Sequence, residues 1–512
     1  VVINIIFLLL FFVCMDKKPI NIVWLKRDLR LRDHVPLKRA IEAGRPLLLM
    51  YFFEPSLMAA PQYATRHWRF TWESLQDLQR QLQAFGIPFY ILNAEVVPAL
   101  QRLAESYHIA GLFSHQETGL KATFDRDRAV QRFCRARNIP WYEFPQDGVV
   151  RGRRHRKGWW EQWQDYFTAP LEHPDCSRLQ PLRLPMGILR SIAGSPLPAV
   201  FREPALAFQP GGETPARRYL HGFLEERSTR YARDLSKPLA SRRGCSRLSP
   251  YLAYGNISPR EVWQWAERHK RRPGLARPLA FFQDRLWWRS HYMQKLESEW
   301  QIEVRAINPT LDALDRGYNE ELFRAWAEGR TGFPIIDASM RCLHANGWLN
   351  FRMRAMLVTF VTFTLWQDWK AAAVHLARLF LDFEPGIHYG QFQMQAGLSG
   401  YHPLRIFSPI LQTEQYDPDG AFIYRYLPEL QGIPAPLLAA PWTMTTMEQQ
   451  FYSYRPGSDY PVPLVDYETT TRQARERYWA FRQQPAVREY LPELWKRHCL
   501  PKNIEKYARE WR

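Results

Sequence analysis

No pair of cysteines in this 512-residue chain stands in CxxC spacing: Cys14, Cys134, Cys176, Cys245, Cys342 and Cys499 are scattered. That pattern signals neither a disulfide framework nor a zinc or iron–sulfur site, so no metal is expected and a reducing cytoplasm is the natural setting. Glycine-rich phosphate loops are missing too. Neither GxGxxG nor a P-loop accompanies any strand-like run, which leaves a nucleotide in the usual glycine-rich turn unsupported. Beyond residue 14 no stretch resembles a membrane span, and internal repeats and low-complexity tracts are lacking. The apolar run 1–14 (VVINIIFLLLFFVC) is short for a span, has no basic leader and is followed by Met15-Asp16-Lys17-Lys18, so it reads as a start-site extension.

Apolar surface is abundant. Hydrophobic residues make up 46% of the chain and aromatics 14%, with 20 Trp, enough to offset the ordering cost of a large globular body. The length exceeds one ordinary core and predicts two domains with connecting segments. Lys and Arg number 69 against 51 Asp and Glu, a net +18 that suits a polyanionic partner. Nucleic acid is favoured over membrane, although charge alone fits a monomeric enzyme with a basic surface equally well.

From residue 20 short β-branched or apolar runs alternate with longer amphipathic ones. Residues 20–25, 46–53, 88–92, 111–114 and 140–144 read as strands of a parallel, Rossmann-like α/β domain over 19–150. Between the second and third, Trp68, Trp72, Leu75, Leu78, Leu82 and Phe85 recur at helical steps and Gly86 stops the helix. Residues 151–215 dissolve into prolines and basic clusters and read as a connector that wraps the domains, since Trp159, Trp160 and Trp163 need something to pack on. Residues 216–512 are helical in period. Ser258-Pro259-Arg260-Glu261 predicts a capping box, and helices are expected over 278–297, 323–327, 338–345, 351–366 and 370–381.

Three segments carry chemistry. In Cys245-Ser246-Arg247-Leu248-Ser249-Pro250, hydroxyls and backbone N–H groups before a helix are able to hold a pyrophosphate or serve as a plain cap. Over 278–297, Phe281, Arg285, Trp288 and Tyr292 share a stripe with Arg289 beside it, which reads as a wet anionic cavity or as core aromatics with snorkelling arginines. The third, Gly329-Arg330-Thr331-Gly332-Phe333-Pro334, runs on to Gly347-Trp348-Leu349-Asn350-Phe351-Arg352-Met353-Arg354.

Together with Thr229-Arg230-Tyr231, Leu286-Trp287-Trp288-Arg289 and Arg405-Ile406-Phe407-Ser408-Pro409, these segments resemble the FAD-binding domain of DNA photolyases and cryptochromes in order and spacing. Asn21-Ile22-Val23-Trp24-Leu25-Lys26-Arg27-Asp28 resembles the opening of the family's α/β domain, and the likeness spans residues 21–466. It implies a helical FAD-binding domain in which Tyr231, Ser246, Leu248 and Ser249 meet the phosphates and ribityl chain. Arg289, Arg354 and Asp382 would surround the isoalloxazine, with Cys245, Tyr292, Glu384 and His388 completing the cofactor set. It further implies light-driven repair of cyclobutane pyrimidine dimers in DNA, with Trp288, Arg285, His388 and Arg352 in catalytic positions. Trp288, Arg352, Met394 and Arg405 would bind DNA, and the dimer would be flipped out of the duplex. A cryptochrome-type photoreceptor, a (6-4) photolyase and a DNA-binding flavoprotein without repair are the alternatives.

The sequence departs from the family pattern in four places. Arg285 stands where a carboxylate usually meets the dimer, and it cannot accept from ring N–H groups. Asn350-Phe351 replaces both the usual asparagine and the paired histidines of (6-4) photolyases, which favours the cyclobutane dimer. In Asp382-Phe383-Glu384-Pro385-Gly386-Ile387-His388-Tyr389-Gly390-Gln391-Phe392-Gln393-Met394, His388 falls near the flavin N5 position, while Phe392 and Arg316 replace two of the three electron-transfer tryptophans. Trp369 remains, with Tyr389 as a further electron-transfer candidate. Glu117-Thr118-Gly119 lies where relatives carry an antenna chromophore, but no antenna motif accompanies it.

Overall fold

The alternating runs of the first 150 residues close into one sheet in the computed structural model, which describes residues 17–510, Glu510 by its backbone only. The expected extension 1–14 lies outside the described residues. Strands β1 (Pro19–Leu25), β2 (Leu47–Phe52), β3 (Phe89–Leu92), β4 (His108–His115) and β5 (Trp141–Phe144) are crossed by α1 (Val35–Glu42), α2 (Thr65–Gln83), α3 (Val96–Ser106) and α4 (Lys121–Ala136). All pairs are parallel in the order β3-β2-β1-β4-β5. The chain reverses direction across the sheet between β1 and β4, which opens a crevice at their carboxyl ends. In α2 the stripe Trp68, Leu75, Leu78 and Leu82 is buried as the period requires. Phe85 is not; the helix has ended at Gln83, and its ring is 51% exposed.

The connector is stitched to the sheet. Leu182 N–H donates to Leu47 O (3.1 Å), Leu47 N–H to Gln180 O (2.8 Å) and Asn93 N–H to Ala193 O (3.3 Å). Its helix α5 (Trp159–Thr168) buries Trp159 and Trp163 against Trp287 and Trp263 of the helical half.

That half is built from α6 (Ser249–Ala253), α7 (Pro259–His269), α8 (Ala276–Ser298), α9 (Glu320–Glu328), α10 (Pro334–Asn346), α11 (Phe351–Thr359), α12 (Trp369–Leu379) and α13 (Pro385–Gln395). It continues through α14 (Pro409–Tyr416), α15 (Tyr467–Arg482) and α16 (Pro485–His498) to a last helix, α17 (Pro501–Glu510). Two local expectations are corrected. The capping box at Ser258 forms on one side only: Ser258 Oγ accepts from Glu261 N–H (3.4 Å), but the Glu261 carboxylate is taken by Arg217 (2.6 Å). The helix expected over 351–366 leaves α geometry at residue 360, where a π-turn covers Phe360–Thr364. Thr359 and Thr362 hydroxyls donate to Met356 O (3.2 Å) and Val358 O (2.7 Å), and such side-chain bonds compete with the helical ladder.

The halves meet through backbone. A Cβ on Gly255 would lie 2.2 Å from Arg27 O, so only glycine fits where the loop after β1 crosses the end of α6. Leu29 N–H donates to Tyr254 O (3.2 Å), Arg30 Nη1 to Gly255 O (3.1 Å) and Asn256 Nδ2 to Leu29 O (3.0 Å). Asp33 accepts from Ser258 Oγ (2.5 Å) and is paired with Arg260. No helix among the described residues is long and apolar enough to cross a membrane.

Candidate functional site

α8 is the spine of the site. Its apolar face meets α13 so closely that a Cβ on Gly390 would stand 2.6 Å from the Tyr292 ring. Where the two helices approach, Arg289 is 7% exposed and reaches Asp147 (Nη1, 3.4 Å), Glu384 (Nη2, 3.6 Å) and the carbonyl of Leu252 (2.8 Å). Glu384, 4% exposed, is held from the other side by Arg27 of the α/β half (3.4 Å). Burial raises the Glu384 pKa while the two guanidinium groups oppose the shift. Both sequence readings of the α8 stripe are therefore partly met: Arg289 is buried with carboxylates, and Arg285 lies exposed with its guanidinium over the Phe281 ring (4.4 Å).

The other expected cofactor residues lie in separate local settings. Arg354 Nη2 donates to Asp382 Oδ2 (2.7 Å), and its guanidinium lies over Phe380 (4.0 Å). Tyr231 is buried among Phe223, Phe281 and Phe282. Ser246 Oγ accepts from Leu248 N–H (3.4 Å), Ser249 Oγ accepts from Trp348 Nε1 (3.2 Å) and Cys245 O accepts from Arg227 (2.8 Å). His388 sits among Phe380, Phe383, Tyr389 and Phe392; its Nε2 donates to Ala373 O (2.8 Å), and burial pushes its pKa down to about 4. It is a neutral imidazole whose Nε2 proton is committed to the backbone.

Trp288 stacks on Tyr292 (5.8 Å), and the Tyr292 hydroxyl donates to the Met394 sulfur (3.2 Å). Arg352 is anchored on α14, with Nη1 donating to Gln412 (3.3 Å) and its plane over Tyr416 (4.1 Å). Arg405 is exposed. Trp369 meets Phe392 (6.4 Å), and the Tyr389 hydroxyl accepts from Gln62 (3.1 Å). Arg316 is buried with its guanidinium over the rings of Trp366 (5.5 Å) and Phe363 (5.3 Å), its Nη2 donating to Ala396 O (2.7 Å).

Several participants have no signal in the sequence. Arg27 and Asp147 reach Glu384 and Arg289 from the other half. Arg247 takes a left-handed backbone (φ 59°) that lays its guanidinium on the Trp348 ring (4.1 Å), where burial lowers its pKa to about 10. Gln209 of the connector exchanges two hydrogen bonds with it.

Near residues 117–119 lies an ion network in which Arg126 holds Glu54 (2.9 Å), Glu117 (2.6 Å) and Asp127 (2.8 Å), and Thr118 donates to Glu297 (2.7 Å). At the β1/β4 crevice Asp28, His34 and His115 converge, buried. His34 Nδ1 accepts from Leu37 N–H (3.1 Å), so Nε2 carries the proton and faces Asp28 (3.0 Å), while His115 Nδ1 contacts the same oxygen (2.7 Å). Against the burial penalty, the two histidines hold Asp28 well below the usual carboxylate range. A proton on Nε2 leaves His34 no free lone pair for a metal.

Residues 282–480 match the family model described as the FAD binding domain of DNA photolyase, and residues 21–169 match the one described as DNA photolyase. A deoxyribodipyrimidine photo-lyase of Thermus thermophilus is 31% identical over 423 residues, 80% of this chain and 92% of the relative. The chain belongs to the DNA photolyase/cryptochrome family. Relatives of both names occur: a cryptochrome DASH of Synechocystis is 25% identical over 90% of this chain and 97% of its own. The crystal structure of a Synechocystis cryptochrome shares the fold with a TM-score of 0.81 at 22% identity, covering 90% of this chain and 99% of that one. As a family member the chain has FAD as its cofactor. Its residues fit the group: Asp382 Oδ1, Glu384 Oε1, Asn350 Oδ1 and Arg247 Nε are buried polar atoms without a protein partner. Unpaired buried polar atoms are costly, and a cofactor rich in donors and acceptors satisfies them.

Proposed function

We propose that this chain holds FAD between α6, α8, α11 and α13 and uses it to split cyclobutane pyrimidine dimers in DNA. The reading rests chiefly on the Arg354–Asp382 pair (2.7 Å), which leaves the second carboxylate oxygen of Asp382 buried without a protein partner. When bound, reduced and excited by light, FAD supplies the electron that opens the cyclobutane ring and takes it back. The chain's own residues position and neutralise. Arg354 and Arg289 place positive charge beside a negative reduced ring, where low dielectric strengthens the attraction. Asp382 and Asn350 offer acceptors to ring N–H donors. Trp288 offers an aromatic face to an extruded base, and Arg285 donates to thymine carbonyls. Arg352 and Arg405 meet phosphates, in keeping with the +18 charge.

Illuminating the reduced protein with dimer-containing oligothymidine should restore thymine absorbance. No recovery with FAD bound and reduced would exclude repair and leave the photoreceptor reading, which the cryptochrome DASH relative favours. A second outcome concerns Arg405, an exposed cation. Arg405→Ala should weaken DNA binding for every sequence and lower the slope of log K against log salt by about 1. Fluorescence anisotropy at several salt concentrations checks this; an unchanged slope would remove Arg405 from the DNA contacts.

A further inference from the structure

The tryptophans expected to feed electrons to the flavin are mostly gone, and the survivor leads nowhere useful. Trp369 meets Phe392, and Phe392 meets His388 (6.0 Å). Phenylalanine and neutral imidazole are much harder to oxidise than indole. Another seam runs from the same pocket. Tyr292 stacks on Trp288 (5.8 Å), Trp288 meets Trp287 (4.8 Å), and Trp287 meets Trp160 (6.2 Å), which is 36% exposed on α5. Every ring in the seam after Tyr292 is an indole.

Packing alone does not ask for this composition. Trp160 stays open to water, and Trp287 hides its Nε1 without an acceptor, a cost that Leu or Phe would avoid. Indole oxidation does not require immediate proton loss, whereas a phenol must release its proton. Tyr292 donates its proton to a thioether and has its pKa raised by burial, so it is poorly placed to be oxidised. The charges around the seam also select its exit. Trp159 lies 6.1 Å from Trp287 but carries Arg156, buried, at 4.9 Å from its ring. An unscreened cation there disfavours a positive charge on Trp159. Lys502 approaches Trp160 at 5.8 Å, on a face that water screens.

We propose that Trp288, Trp287 and Trp160 form an electron relay from solvent to the FAD pocket; this rests on the FAD reading above. One electron passes from Trp288 to light-excited oxidised FAD, Trp287 refills Trp288, and Trp160 refills Trp287. The first step oxidises Trp288 and reduces the flavin by one electron, and each later step reduces one indole and oxidises the next by one electron. The Trp160 radical cation releases its Nε1 proton to water, and a soluble thiol then returns one electron and one proton.

The test uses purified FAD-loaded protein under blue light. With thiol present, flavin reduction is followed by absorbance and the indole radical by transient absorption; with thiol omitted, mass spectrometry locates oxygen adducts. Wild type should show the radical and an adduct at Trp160. Trp287→Phe should lose photoreduction, the radical signal and the adduct, and Trp160→Phe, at a more exposed site, should lose the lasting radical while keeping the fold. With normal flavin content, wild-type photoreduction in both variants, or loss only in Trp369→Phe, overturns the relay and leaves FAD binding standing. Protein that binds no flavin overturns both.

Discussion

Arg289→Met should lose about 3–5 kcal/mol of stability and purify with little flavin, because it strips the shared cation from two buried carboxylates. Glu384 would keep Arg27 at 3.4 Å, but Asp147 would lose the contact at 3.4 Å that Arg289 provides. Breaking a buried pair costs more than the pair contributes, since the orphaned charge stays desolvated. The Leu252 carbonyl would lose its donor as well. Arg289→Lys should fall between the two, keeping the charge but not the fork that reaches three acceptors at once. Urea melts and the flavin-to-protein absorbance ratio check both variants. An unchanged midpoint in Arg289→Met would mean that the carboxylates are neutral or wet, and that the electrostatic account of the pocket is wrong.

The second large effect lies away from the pocket, at Asp337. Its carboxylate accepts from Thr331 N–H (2.8 Å), Thr331 Oγ1 (2.6 Å), Gly332 N–H (3.1 Å) and the Tyr460 hydroxyl. Asp337→Ala leaves two buried backbone donors unpaired and should cost about 2–4 kcal/mol. Asp337→Asn keeps one acceptor oxygen but turns an amide toward Gly332 N–H, and should cost about 1–3 kcal/mol. Burial raises the Asp337 pKa from 3.8 to about 6, the hydrogen bonds opposing it. A folded-state pKa above the unfolded value means that the folded state holds the proton more tightly. The stabilisation from that proton is full below pH 3.8 and is lost as pH rises through about 6. The gap between wild type and Asp337→Asn should therefore be wider at pH 5 than at pH 7, by denaturant melts at each pH. A gap that widens with pH would contradict the assignment.

The sheet was readable because each strand is a short apolar run bounded by turn residues, and a parallel crossover demands the helices between. The expected site residues are those in contiguous motifs: Ser246 to Ser249, Arg352 with Arg354, and Asp382 to Met394. What could not be read was set by approach in space. Arg27 donates to Phe383 O across 356 residues, and no local pattern foretells that a loop after β1 will brace the glutamate beside the pocket. Arg247 owes its inward guanidinium to a left-handed backbone that arginine rarely adopts. The π-turn after α11 follows from threonine hydroxyls bonding back to carbonyls, which hydrophobic periodicity does not register.

The stitching of the connector to β2, with the glycine-only contact between Gly255 and Arg27, has a mechanical consequence for the proposed reaction. Enzymes that bind substrate between two lobes often hinge, closing around it and letting the protein absorb the strain. Here the two halves share backbone hydrogen bonds and a buried glutamate held by an arginine from each side, contacts that oppose a hinge motion. Under the proposed function the deformation would fall on the nucleic acid, bent and opened at one base pair against a stiff socket. A rigid socket discriminates by the stiffness of what is offered: an intact stack resists extrusion, while a dimer that has already lost its stacking and pairing yields. Selection of damage would then be decided before any photon arrives, by the elastic cost of the DNA.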